Sequence, residues 1–317
     1  MTTERVARAE VPCRACLAGE DLDWLGGRSV SLALELTTVV ETVPGPPAPP
    51  AGGWPEEVWA YLRERLPGLA PRPPAVRVHS AAPSASGLSS STALIVALLR
   101  AYTRLCVPAP GVPDATLAQW AYAFEFARFN GGGMDHLAVI EGGALLLEGR
   151  TTGLPVIRDR AVFPEDWTVL VLDSATRKDT GDHIRVVREQ LATGDPALAL
   201  YRKEADEAAT QAWSAIGARD LDGLAGAMDR AHATMRDHQR MSTPVLEELR
   251  ELALGSAGLR LKLSGAGGGG SLVGVCRTAD ADGIASAVRG ALGERYPAAR
   301  VIATRAAGPE PAASPLP

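Results

Sequence analysis

The chain holds 317 residues, 46% hydrophobic and 22% charged, with a formal net charge of -5. That length accommodates one large or two medium domains, each with its own core. The acidic balance argues against a general polyanion binder, so neither nucleic acid nor an acidic membrane is an expected partner. No stretch approaches the roughly 20 apolar residues of a membrane span, and the N-terminal residues do not lead into a signal-peptide core, which points to the cytoplasm. Cys13 and Cys16 form a Cys-x-x-Cys with no second pair and no nearby His. With Cys106 and Cys276 they read as free thiols.

Residues 6–18 predict a strand, broken by a Gly-bounded loop from Gly19 to Gly27 that carries Glu20, Asp21 and Asp23. These carboxylates either bind something or face water. A β-type pattern resumes from Val30 to Val43, and Pro44 to Pro55 is an irregular connection. Trp54 to Leu66 predicts an amphipathic helix with Pro55 in its first turn, and Ala75 to Ser80 a short strand. Pro83 to Thr92 is a small, hydroxyl-rich loop feeding an apolar helix. The first turn of such a helix has free backbone N–H groups and the positive end of the macrodipole, which suits an anion. The same residues read equally as a surface turn whose serine caps a buried helix.

Thr116 to Phe129 predicts a helix carrying Glu125, which stops at Asn130-Gly131-Gly132-Gly133. Met134-Asp135-His136 follows and is expected to lead into an apolar strand pair turning at Gly142-Gly143. Trp167 to Leu172 is a buried-type strand with a domain boundary just before it. Residues 184–193, 196–216 and 221–238 predict helices, with His183, His232 and His238 as ordinary helix residues, and Thr243-Pro244 starts another. Lys262-Leu263-Ser264 enters a loop from Gly265 to Gly270, and Leu272 to Cys276 leaves it as a strand. The Pro- and Ala-rich tail after Ala303 is expected to be disordered.

The acidic loop, the serine loop and the glycine loop, in this order, resemble the three motifs of the GHMP kinases, with residues 12–27 closest to the galactokinase form. The resemblance implies an α+β, two-domain fold: an N-terminal domain with a left-handed βαβ crossover (residues 1–165), a ferredoxin-like C-terminal domain (166–303) and a flexible tail (304–317). It implies ATP and Mg2+ as cofactors and a small-molecule hydroxyl as acceptor, in a monomer or homodimer. By the same resemblance Pro83, Ser84, Ser86, Gly87, Leu88, Ser89, Ser90, Ser91, Gly265, Gly267 and Gly268 bind ATP, and Ser91 and Glu125 hold the metal. Asp135 takes the acceptor's proton beside Arg14, while Glu20, Asp21, Asp23 and Gly133 grip the acceptor.

Each of these also has a plainer reading, Glu125 as a solvated helix face and Arg14 with Asp135 as a structural ion pair. Cys13 and Cys16 stand where the family usually has Gly and Asn, and Asp21 where galactokinase-like members have His. The loop chemistry favours the anomeric 1-hydroxyl of an unusual sugar: a higher sugar, an amino sugar or one already phosphorylated. A mevalonate-type kinase, a catalytically silent binding protein and a related decarboxylase are the alternatives. For a phosphorylated acceptor, Arg177, Lys178, Arg185 and Arg188 are the candidate contacts, although surface helix charge is the better account of them.

Overall fold

The computed structural model describes residues 6–45, 52–176 and 180–308. Its N-terminal half is built on β1 (Arg8–Ala18), followed by the one-turn helix α1 (Leu22–Leu25), and on β2 (Arg28–Val43). Next come α2 (Trp54–Arg63), β3 (Ala75–Ser80), α3 (Ser90–Cys106), α4 (Asp114–Phe129), α5 (Met134–Glu141), β4 (Ala144–Glu148) and β5 (Val156–Ala161). The C-terminal half runs β6 (Trp167–Asp173), α6 (Thr180–Thr193), α7 (Pro196–Ala218), α8 (Leu221–Gln239) and α9 (Pro244–Ala257). It ends with β7 (Lys262–Leu263), β8 (Ser271–Arg277), α10 (Ala281–Leu292) and β9 (Arg300–Thr304).

The length of β2 organises the first sheet. β1 pairs antiparallel with one edge of β2 through residues 30–41. β3 and β4 therefore share the other edge, β3 along residues 38–43 and β4 along residues 28–32. Both run antiparallel to β2, so they point the same way, end to end. The chain leaves the sheet at Ser80 and returns at Ala144, and the three helices of that excursion carry the serine loop and Asp135. The second sheet is antiparallel in the order β7-β8-β6-β9. Fully buried Ala209 and Ala212 of α7 belong to the core cluster of the first sheet, and the absence of bulk there lets the helix approach closely.

Two expectations change. Residues 134–141 form a helix rather than the first of two strands: an apolar run of this length has no period of its own, and its packing against β1 and β2 decides the matter. Residues 305–307, assigned to the flexible tail, run back along the first sheet. Glu35 N donates to Arg305 O at 2.9 Å, and Ala307 N to Ala33 O at 2.9 Å. Residues 309–317 of that tail lie outside the described residues.

Candidate active site

β1 delivers Arg14 to the centre of the molecule, where its side chain is 5% exposed. Its Nε donates to Asp135 Oδ1 at 2.8 Å and its Nη1 to Gly87 O at 2.7 Å, while its backbone N–H reaches Leu88 O at 3.0 Å. Ser264 completes the junction: its hydroxyl donates to Gly87 O at 3.1 Å and accepts the Cys16 N–H at 3.2 Å. The three loops, far apart in sequence, thus meet around one cavity of about 490 Å3.

Arg14, Asp135, Glu20, Asp21 and Asp23 reach the wall of that cavity, as do Gly87, Ser89, Ser90, Ser91, Glu125 and Gly265. Several expected contacts do not. Gly133 is buried away from the cavity: a Cβ there would lie 2.6 Å from Leu154 and 3.2 Å from Tyr122. Gly131 and Gly132 line the wall instead, and a Cβ on Gly132 would sit 1.9 Å from Asp23 Oδ2. Gly267 packs on Met241, whose carbonyl also accepts the Gly268 N–H at 2.7 Å. Pro83, Ser84, Ser86 and Leu88 do not line the cavity either: Ser84 is exposed, whereas Ser86 and Leu88 are buried, and Ser86 O accepts the Ser271 N–H at 2.7 Å. Arg177 and Lys178 lie outside the described residues. Arg188 donates to Asn130 O at 3.0 Å and stacks 4.9 Å over Trp24.

The acids of the first loop have different environments. Buried Lys262 is paired with Glu20 and also donates to Cys16 O at 3.1 Å, leaving Glu20 Oε2 buried without a partner. Asp21, in the left-handed region with φ 62, accepts from Trp24 Nε1 at 3.2 Å and pairs with His183 Nε2 at 2.6 Å. His183 is therefore more than an ordinary helix residue. Asp23 Oδ2 accepts the Met134 N–H at 2.8 Å. The sequence places Lys262 and Ser264 at the entry to the glycine loop and His136 beside Asp135 but gives none of them a role, although Lys262 is one of only three lysines in an Arg-rich chain.

Burial, the largest single influence, would raise the Asp135 carboxyl, but the Arg14 guanidinium, the Ser89 hydroxyl and His136 together outweigh it and hold the group below the ordinary carboxylate range. Asp135 is thus ionised at neutral pH and 30% exposed to the cavity. Asp23 goes the other way. Burial, with the charges of Asp135 and Asp21, pushes it up to about 7 against the Met134 N–H. In the unfolded chain it titrates near the ordinary value of about 4. The native state therefore binds the extra proton between those values, and stability falls as pH rises from about 4 to about 7. Asp23→Asn is accordingly expected to raise the melting temperature at pH 8 and to change it little at pH 4, by differential scanning fluorimetry. About 4 kcal/mol is the upper bound on the gain.

α3 begins after Ser89, which has φ 58 and makes no side-chain cap, and Ser90, Ser91 and Thr92 of its first turn line the cavity. This fits a phosphate group. Glu125 Oε2 accepts the Thr92 hydroxyl at 2.8 Å and lies 2.7 Å from His136 Nε2. Burial would lower His136, yet Glu125 beside it raises its pKa overall. Ser91 and Glu125 on the same wall are hard oxygen donors of the kind Mg2+ takes, so the residues fit that ion.

An acid kept ionised in the same cavity as a helix start that suits an anion fits phosphoryl transfer to an alcohol. Residues 55–143 match the family described as GHMP kinases N terminal domain and residues 198–294 that described as GHMP kinases C terminal, together more than half of the chain. The chain belongs to the GHMP kinases, ATP-dependent kinases of small molecules. Its structure is similar to that of L. major mevalonate kinase in complex with R-mevalonate, with 19% identity, a TM-score of 0.77, and 98% of this chain and 100% of that one covered. It is equally similar to Lactococcus lactis galactokinase complexed with galactose: 18% identity, a TM-score of 0.77, and coverage of 96% and 95%. Streptococcus pneumoniae phosphomevalonate kinase gives 15% identity, a TM-score of 0.75, and coverage of 95% and 99%. At these identities the likeness concerns the fold. Among the described residues no helix is long and apolar enough to cross a membrane.

Proposed function

We propose that this kinase transfers the γ-phosphoryl group of ATP to the anomeric 1-hydroxyl of a sugar other than galactose. The observation that carries the reading is the charge of the acceptor side. Glu20, Asp23 and Asp135 line it, and Arg14, already bonded to Asp135 and Gly87, is the one Arg or Lys on the cavity wall among the described residues. Hydroxyl donors pair with such carboxylates, whereas the carboxylate of mevalonate meets like charge. Asp21, in place of the His of galactokinase-like members and tied to His183, supports an acceptor other than galactose.

The N–H groups at the start of α3 and the serine loop orient the triphosphate. Ser91 and Glu125 hold Mg2+, which when bound neutralises charge on the phosphate oxygens. Asp135 accepts the proton of the attacking hydroxyl as its oxygen bonds to the γ-phosphorus and the bond to ADP breaks. Arg14 keeps that carboxylate ionised beforehand. A transfer screen over hexoses, heptoses, amino sugars, sugar phosphates and R-mevalonate, with product position read by NMR, tests the reading. A sugar 1-phosphate is the expected product; transfer to R-mevalonate and to no sugar would overturn the proposal.

A further inference from the structure

Within the cavity the carboxylates are unequally compensated. Asp135 is held by Arg14, Glu20 by Lys262 and Glu125 by His136, and Asp21 lies 2.6 Å from His183 Nε2. Asp23 is 4% exposed, lines the same wall, and has a neutral backbone N–H as its one hydrogen-bond donor among the described residues. Glu20 Oε2, on a side chain 3% exposed, has no partner. A neutral polyol fills these lone pairs and leaves the charge of Asp23 unbalanced; a cation does both.

We propose, building on the sugar-kinase reading above, that the acceptor carries an amine whose ammonium group pairs with Asp23. An ammonium has three donors and no acceptor, so it can fill free carboxylate lone pairs and balance the charge of Asp23 at once. Phe126 and Phe129, each 39% exposed, are on the same cavity wall, and aromatic rings attract cations. A phosphorylated acceptor finds no such match, because Arg14, the one Arg or Lys on the wall among the described residues, is already occupied. Titration agrees with the geometry: a carboxyl that burial pushes up to about 7 gains from a cation that keeps it ionised.

The test compares kcat/KM for the 2-, 3-, 4- and 6-amino-deoxy hexoses with their parent hexoses, their N-acetyl forms and their N-methyl forms. At one amine position the amino sugar is expected to exceed its parent by about 10-fold or more, the scale of a charge-assisted hydrogen bond. N-methylation, which keeps the charge, preserves the preference, and N-acetylation, which removes it, abolishes the preference. In Asp23→Asn the ratio of amino to parent sugar collapses toward one. If parent hexoses or their phosphates are preferred at every position, the inference is overturned while the sugar-kinase reading stands. An unchanged ratio in Asp23→Asn also overturns it. Should that variant not fold, the N-methyl and N-acetyl pair decides on the unaltered protein. If no sugar of any charge is turned over, the sugar-kinase reading fails and takes this inference with it.

Discussion

Asp135→Asn is expected to lower kcat by about 10²–10⁴-fold, the range of a positioned general base, while ATP still binds. Asparagine keeps the shape of the side chain and can still accept a hydrogen bond from Arg14, so the cavity persists. It cannot take up the acceptor's proton. Asp135 lies near the start of α5, with one oxygen bonded to Arg14 and a side chain 30% exposed to the cavity. A purely structural ion pair predicts another result: a lower melting temperature with transfer largely intact. Single-turnover transfer, nucleotide titration and thermal unfolding, measured side by side on the variant, separate the two accounts. Undiminished turnover sinks the assignment of Asp135 as base.

The second large effect is on stability. Lys262→Met is expected to destabilise the protein by about 3–5 kcal/mol, the cost of removing one partner of a buried ion pair. Lys262 has a fully buried side chain, and its amine is bonded to Leu263 O at 2.6 Å, to Cys16 O at 3.1 Å and to Glu20. Without it the carboxylate of Glu20 is left buried and uncompensated. The double variant Lys262→Met with Glu20→Gln removes both charges and is expected to recover much of the loss, because the pair itself adds little beyond an apolar replacement. Urea unfolding at equilibrium measures both. A single variant within about 0.5 kcal/mol of the parent, the range of an ordinary surface change, contradicts the prediction.

Much of the architecture was legible because local patterns and tertiary packing agree. The strand at residues 75–80 has the predicted bounds. The helix beginning at Pro244 starts where Thr243 and the proline signal a first turn, and Thr243 Oγ1 accepts the Leu246 N–H at 3.3 Å. Helix α5 is not legible in this way, because the apolar run after His136 is too short to show a period. Gly131, Gly132 and Gly133 are equivalent in sequence; the close approach of Asp23 Oδ2 to Gly132 distinguishes them only in space.

By itself the sequence determined that three loops of small and acidic residues precede or follow regular elements, and that in this order they resemble the motifs of the GHMP kinases. Such features are local, set by glycine, proline, hydroxyl and carboxylate content over a few neighbouring positions. Only the tertiary structure decided which carboxylate is neutralised and which is left open. Glu20 meets Lys262 across 242 positions and Asp21 meets His183 across 162, whereas Asp23 meets a backbone N–H. Charge balance in a buried site depends on distance and burial, and neither is a property of chain order.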